Sequence, residues 1–240
     1  MNLKLIKIIQ LDGKIILRSG LHIGSGNMEM HIGGTDNPVI KHPHTLEPYI
    51  PGSSLKGKLR SLMELASGLA AQASQQGGIV SYNTYRQLSD PKMKEECLDI
   101  LKIFGFSGDE KDKSDKSNEE LRAIGPTRVA FADCYLNREW LEKARSNLWP
   151  LTVEKAETAI DRISGTAKNG SLRQTELVPE GSVFDFRMTF RVFGEEEEKL
   201  FGKLRRALDL LAADAIGGNG SRGYGRIAFE FNGEPSVFNC

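Results

Sequence analysis

A chain of 240 residues can bury a sizeable core, and this length favours one domain with long insertions over two equal domains. Hydrophobic residues make up 39% and charged residues 27%, a composition that excludes disordered and fibrous classes. With 32 basic and 32 acidic residues the formal charge is zero, so any nucleic-acid surface must be local and offset elsewhere.

The opening run MNLKLIKIIQLDGKIIL is interrupted by Lys4, Lys7, Asp12 and Lys14 and carries no small-residue cleavage site. No stretch approaches the ~20 apolar residues that span a bilayer, so a cytoplasmic protein without membrane contact is expected. Cys97, Cys134 and Cys240 are odd in number and far apart, which argues for reduced thiols rather than disulfides or structural zinc.

Leu3 to Arg18 alternates apolar and polar residues around Asp12-Gly13, as strand, turn, strand or as one long bulged strand. Gly20 to Gly34 is glycine-rich and continues past Asn37-Pro38 to Pro51 with no helical period. Loops this long are uncommon and usually functional or disordered; the apolar and turn content of this one favours function. From Ser53, the residues Leu55, Leu59, Leu62, Met63, Ala66 and Leu69 define one apolar helical face. Ser53 or Ser54 is the expected cap, and the helix should end before Gln75-Gln76-Gly77-Gly78. SGDEKDKSDKSNEE, from Ser107 to Glu120, is too charged to bury and reads as an exposed loop.

Thr127 to Cys134 reads as a strand and Arg138 to Arg145 as a short helix, followed from Leu151 to Glu180 by an extended hairpin projecting from the core. Val183 to Val192 is the clearest strand: Phe184, Phe186, Met188, Phe190 and Val192 share one face. Glu195 to Glu198 open a second helix whose stripe is Leu200, Phe201, Leu204, Leu208 and Leu211; the four glutamates suit the dipole at its start. Arg226 to Phe231 supplies a last strand. The order strand, helix, strand, then strand, helix, strand predicts an α+β fold with a ferredoxin-like core, the architecture also used by RNA-recognition modules.

Three glycine-bearing segments carry the chemical signals. Pro51-Gly52-Ser53-Ser54-Leu55-Lys56-Gly57-Lys58-Leu59-Arg60 begins a helix, where outward amides favour phosphate and Lys56 and Arg60 share a face, with Lys58 on another. The same pattern also describes a capped helix with solvated basic residues. Gly217-Gly218-Asn219-Gly220-Ser221-Arg222-Gly223-Tyr224-Gly225 follows a helix and leads into a strand, the reverse of a nucleotide-binding loop. Arg222 and Tyr224 among glycines suit an RNA backbone, and a plain helix C-cap and turn fits the composition as well. Gly20-Leu21-His22-Ile23-Gly24-Ser25-Gly26 could bring His22 near RNA; His31, His42 and His44 follow, without a recognisable metal-ligand spacing.

LHIGSG, GGTDNPVIKHPHTLEPYIPGSSLKGKLRSLME, AIDRISGTAKNGSLRQTE and GGNGSRGYGRI together resemble the backbone subunits of type III-A CRISPR effector complexes, members of the RAMP superfamily. The resemblance runs from near residue 14 to near residue 231. It implies a single RAMP domain over 1–240: a ferredoxin-like (RRM-like) core with an extended thumb hairpin and long loop insertions at about 20–52, 77–126 and 151–180. It implies copies of the chain in a filament along CRISPR guide RNA, six nucleotides to each, with other type III-A effector subunits alongside. Ile160 to Glu176 matches the thumb that kinks the guide–target duplex.

In that family a loop aspartate cleaves target RNA at each kink with Mg²⁺ or another divalent cation, and the matching residue here is Asp36. It is therefore the expected catalytic and metal-binding residue. Apart from the resemblance, Asp36 before Asn37-Pro38 is an ordinary turn aspartate. The RNA contacts expected are His22, Lys56, Lys58, Arg60, Arg162 and Arg222, with Lys168 and Arg173 also on the thumb, while Asp133 and Asp161 are read as structural. The alternative is a non-catalytic guide-RNA-binding filament subunit with cleavage supplied elsewhere. A third possibility is a guide-processing nuclease using His22 as general base.

Overall fold

The computed structural model describes residues 3–26, 37–73, 78–106 and 124–240. Seven strands, β1 (Lys7–Leu17), β2 (Val129–Phe131), β3 (Val153–Glu157), β4 (Arg173–Leu177), β5 (Val183–Val192), β6 (Ile227–Phe231) and β7 (Ser236–Asn239), form two antiparallel sheets. The main sheet runs β2-β5-β1-β6, and β7 continues the β6 edge along the first half of β1. The helices are α1 (Gly52–Ala66), α2 (Leu69–Ala73), α3 (Tyr82–Gln87), α4 (Pro91–Phe104), α5 (Arg138–Ser146) and α6 (Glu198–Ala213). β1-α1-β2 and β5-α6-β6 are the two halves of a ferredoxin-like sandwich, in the order the hydrophobic periods predict.

The core lies between the sheet and the helices. Ile9, Leu11, Ile15 and Leu17 of β1 and Phe184, Phe186, Met188 and Phe190 of β5 point inward, because side chains alternate along a strand. Leu55, Leu59 and Met63 of α1 meet them, as do Leu200, Leu204, Leu208 and Leu211 of α6. Burying one such side chain contributes roughly 1.5–3 kcal/mol, which is why these stripes, rather than local propensity, fix the layers.

Several expectations are corrected. Of the two readings of Leu3 to Arg18, the single long strand holds, without turn or bulge at Asp12-Gly13, and Gly13 is there because a Cβ would stand 2.4 Å from Glu230 O on the neighbouring strand. The first helix starts at Gly52 with Pro51 before it, not under a serine cap; the Asp133 carboxylate accepts the Gly52 N–H at 2.8 Å. Asp133 thus has the structural role assigned to it, and it occupies a helix start that the sequence offered to phosphate. The apolar run breaks at Gly68 (φ 73), so Leu69 opens the separate α2. β2 is confined to three residues, and Cys134 bridges Ile50 instead.

Glu195–Glu197 form a single 3₁₀ turn before α6, and of the four glutamates at this helix start Glu197 is buried. Its carboxylate receives the fully buried Arg128 at 2.6 and 3.2 Å, while the guanidinium also donates to Ile124 O and Pro126 O. Cys97 and Cys134 are buried free thiols that burial pushes up to about 12, in keeping with the reduced state expected. The charged run from Ser107 to Glu120 lies outside the described residues, as does His31. No helix among the described residues is long and apolar enough to cross a membrane.

Candidate nucleic-acid interface

The segments flanking residues 27–36 run side by side. Gly24 bridges Val39, Ile40 N–H donates to Ile23 O at 2.8 Å, and Ser25 N–H reaches Pro38 O. Asp36, the expected catalytic and metal-binding residue, lies outside the described residues; its immediate successor Asn37 does not. Asn37 pairs with Thr175 at the base of the thumb and accepts the Glu176 N–H at 3.0 Å.

The thumb is the β3-β4 pair, which stands apart from the main sheet as the extended hairpin predicts. Beyond the paired strands, Asp161 Oδ1 accepts the N–H groups of Ile163 and Ser164 at 2.9 and 2.8 Å, holding its carboxyl below the usual range; this is the structural role assigned to it. Arg162 is exposed beside it, and Ile163 is fully exposed.

The glycine-rich loop after α6 docks on the His22 segment. Gly217 adopts φ +79°, and a Cβ there would lie 2.3 Å from His22 O; Gly218 N–H donates to that same oxygen at 2.8 Å. Gly225 N–H donates to Gly20 O at 2.9 Å. The glycines therefore permit backbone-to-backbone contact between two parts of this chain, not only with a ligand. Tyr224, which with Arg222 gave this loop its likeness to an RNA-backbone contact, is buried, with Lys155 Nζ 4.6 Å above its ring.

These approaches leave an open groove of about 370 Å³ lined by His22, Asn37, Glu157, Arg173, Thr175, Gly218, Asn219 and Arg222. Four sequence segments meet there: the His22 glycine segment, the exit of the Asp36 segment, the thumb base and the second glycine loop. His22 Nδ1 lies 2.8 Å from Glu176 O, and since a carbonyl only accepts, a neutral ring carries its proton on Nδ1. Arg222 is half exposed, bonded to Asn219 Oδ1 at 3.0 Å and 3.8 Å from Glu157.

The basic residues of α1 separate by role. Lys58 pairs with Asp214, at the end of α6, at 2.7 Å. Lys56 is half-buried, and burial together with the Arg60 charge lowers its pKa, so the two do share a face. Arg60, however, turns inward: it donates to Glu64 at 2.8 Å and to the carbonyls of Gly105 and Val80. Its guanidinium joins α1 to the ends of neighbouring segments, a use that the i, i+4 spacing with Lys56 gave no sign of. Sequence reasoning also passed over Glu176 and Lys41, paired at 2.5 Å; the signal available was a glutamate directly before the apolar Leu177 that ends β4.

Among the described residues, no group of three or more His, Cys, Asp or Glu side chains could hold a metal ion. The described part of the groove contains one carboxylate, Glu157, and that carboxylate is engaged by Tyr224 and Lys155.

Residues 14–229 match the family model of the RAMP superfamily. The CRISPR system Cms endoribonuclease Csm3 of Methanocaldococcus jannaschii is 38% identical over 95% of this chain and 81% of its own length. The protein of the same name from Streptococcus thermophilus is 34% identical over 96% of this chain and 90% of its own. The crystal structure of Methanopyrus kandleri Csm3 is 26% identical with a TM-score of 0.55, covering 94% of this chain and 76% of that one. A Csm3-Csm4 subcomplex from the type III-A CRISPR-Cas interference complex matches with 26% identity and a TM-score of 0.51, over 98% and 83%. The fold, the arrangement of the glycine-rich segments and these similarities together place the chain in the RAMP superfamily, within the Csm3 family of CRISPR system endoribonucleases.

Proposed function

We propose that this chain is the backbone subunit of a type III-A CRISPR interference complex, an RNA-guided endoribonuclease of the cytoplasm. Copies of it bind guide RNA along a filament, next to other effector subunits, and cleave complementary target RNA at six-nucleotide intervals. The observation that carries this reading is the meeting of His22, Asn37, the thumb base and the Arg222 loop around one groove. A groove that sets Arg173, Arg222 and His22 among small polar residues suits a phosphate chain, because sequence is read by guide–target pairing and not by the protein.

In this reading His22, Lys56, Lys58, Arg162 and Arg222 face RNA, and Asp36 cleaves. Arg60, whose donors serve Glu64, Gly105 and Val80, reaches RNA less directly than the others. A divalent ion, Mg²⁺ or another, would be held by Asp36 and RNA oxygens, since Mg²⁺ retains several waters and needs few protein ligands. Such an ion supplies charge stabilisation at the scissile phosphate.

The test is Asp36→Ala in the complex assembled with guide RNA, read as the ladder of target fragments with and without Mg²⁺. Loss of the ladder with target binding retained is the expected result. Persistent cutting at regular spacing would leave a guide-binding filament subunit whose cleavage is supplied elsewhere.

A further inference from the structure

We infer that Glu176 is a positioning residue for target cleavage, fixing the exit of the Asp36 segment to the base of the thumb so that both meet the target as one unit. This rests on the assignment of cleavage to Asp36 above.

Glu176 is the fourth residue of β4 and is buried. Four contacts leave it for the two flanks of the 27–36 segment. Its N–H donates to Asn37 O at 3.0 Å, and Oε2 accepts the Val39 N–H at 2.9 Å. Oε1 takes Lys41 Nζ at 2.5 Å, and the carbonyl oxygen receives His22 Nδ1 at 2.8 Å. One residue of the thumb therefore holds both chain directions that lead to the cleavage segment, and its grip begins at the residue directly after Asp36.

The chemistry of the grip is strong for its size. Burial by itself would raise the Glu176 carboxyl, yet hydrogen bonds from Lys41, Thr152 and the Val39 N–H, with the Lys41 charge, hold it below the usual range. A charged acceptor in a partly dry setting makes roughly twice the bond of a neutral one. The internal register of the thumb is set separately, by the pairing of β3 and β4 over five residues each. What the carboxylate adds is registry between the hairpin and residues 37–41. Cleavage depends on that registry, since misplacing a reacting group by about 1 Å can cost about a hundredfold in rate.

The experiment measures single-turnover cleavage at saturating target, target affinity and thermal unfolding for complexes assembled with Glu176→Gln, Lys41→Met and, as reference, Asp36→Ala. Glu176→Gln retains an acceptor for Val39 N–H and removes the charge that holds Lys41. Lys41→Met breaks the same ion pair from a side chain that is 32% exposed, and its unfolding temperature checks that the fold is retained. Both are expected to cleave about tenfold more slowly, with target affinity and fragment spacing unchanged. If either cuts at the original rate, or if rate and affinity fall in proportion, the positioning role is overturned; should Glu176→Gln fail to assemble, Lys41→Met alone decides. Full activity in Asp36→Ala would remove the underlying assignment instead, which separates the two failures.

Discussion

Tyr224 Oη donates to Glu157 Oε1 at 2.5 Å, tying the glycine-rich loop after α6 to the first strand of the thumb. Glu157 is held below the usual carboxylate range by this bond first, with Lys155 and Arg222 adding to it against the opposing effect of burial. Tyr224 moves up, through burial and the neighbouring carboxylate. Two regions far apart in sequence thus share one wall of the groove.

Tyr224→Phe keeps the ring under Lys155 and deletes the hydrogen bond. The expected loss is about 1 kcal/mol, or about 2–4 °C in Tm for a domain of this size. Guide-RNA affinity should fall with it, because Glu157 keeps Lys155 and Arg222 but loses its hydroxyl donor and turns more of its charge toward a phosphate groove; equal affinity in a filter-binding titration would show that the loop needs no tether.

Arg128 and Glu197 form the most enclosed ion pair described here, with side-chain exposures of 1% and 6%. Glu197→Ala leaves a buried guanidinium without its carboxylate and should cost about 3–5 kcal/mol, measured by urea unfolding. The pH dependence follows. Burial would raise Glu197, but hydrogen bonds from Arg128 and the Phe193 N–H, with the charges of Arg128 and Lys102, hold it below its ordinary 4.5. A lowered folded pKa means the unfolded chain binds the proton more tightly. Its stabilisation is complete above the unfolded value and is lost as pH falls from there through the folded value. Glu197→Gln should flatten that part of the stability profile.

Arg60 and Arg162 carry the same charge and should fail differently. Arg162→Ala, on the exposed thumb, is expected to reduce the slope of log affinity against log salt by about 0.7, as one lost phosphate contact would. Arg60→Ala should leave that slope unchanged and lower stability by about 2 kcal/mol, since its donors serve Glu64, Gly105 and Val80. A changed slope for Arg60→Ala would return it to the RNA surface.

Gly217→Ala places a Cβ 2.3 Å from His22 O at a positive φ. The expected cost is about 1–3 kcal/mol, together with displacement of His22 and weaker guide binding. Gly223→Ala is the control: its φ is equally positive, but no atom lies within 4 Å of the new methyl group. A smaller loss of stability, from backbone strain alone, with guide binding preserved is expected there.

The sequence by itself determined the layers of this protein. The period-two run of β5, the leucine stripes of α1 and α6 and the glycine-rich breaks were legible because burial imposes a local rhythm on each element. The family was legible because its glycine and basic segments recur in order along the chain. Only the tertiary structure decided what the polar residues do. Arg128 meets Glu197 across 69 positions, and Lys41 meets Glu176 across 135. No local period marks such pairs, since their partners are chosen by how the layers pack. Arg60, which helical spacing assigned to RNA, turns inward for the same reason: buried carbonyls of distant segments require its donors. Glu176 came to hold the exit of the Asp36 segment only when folding brought the thumb base against residues 37–41.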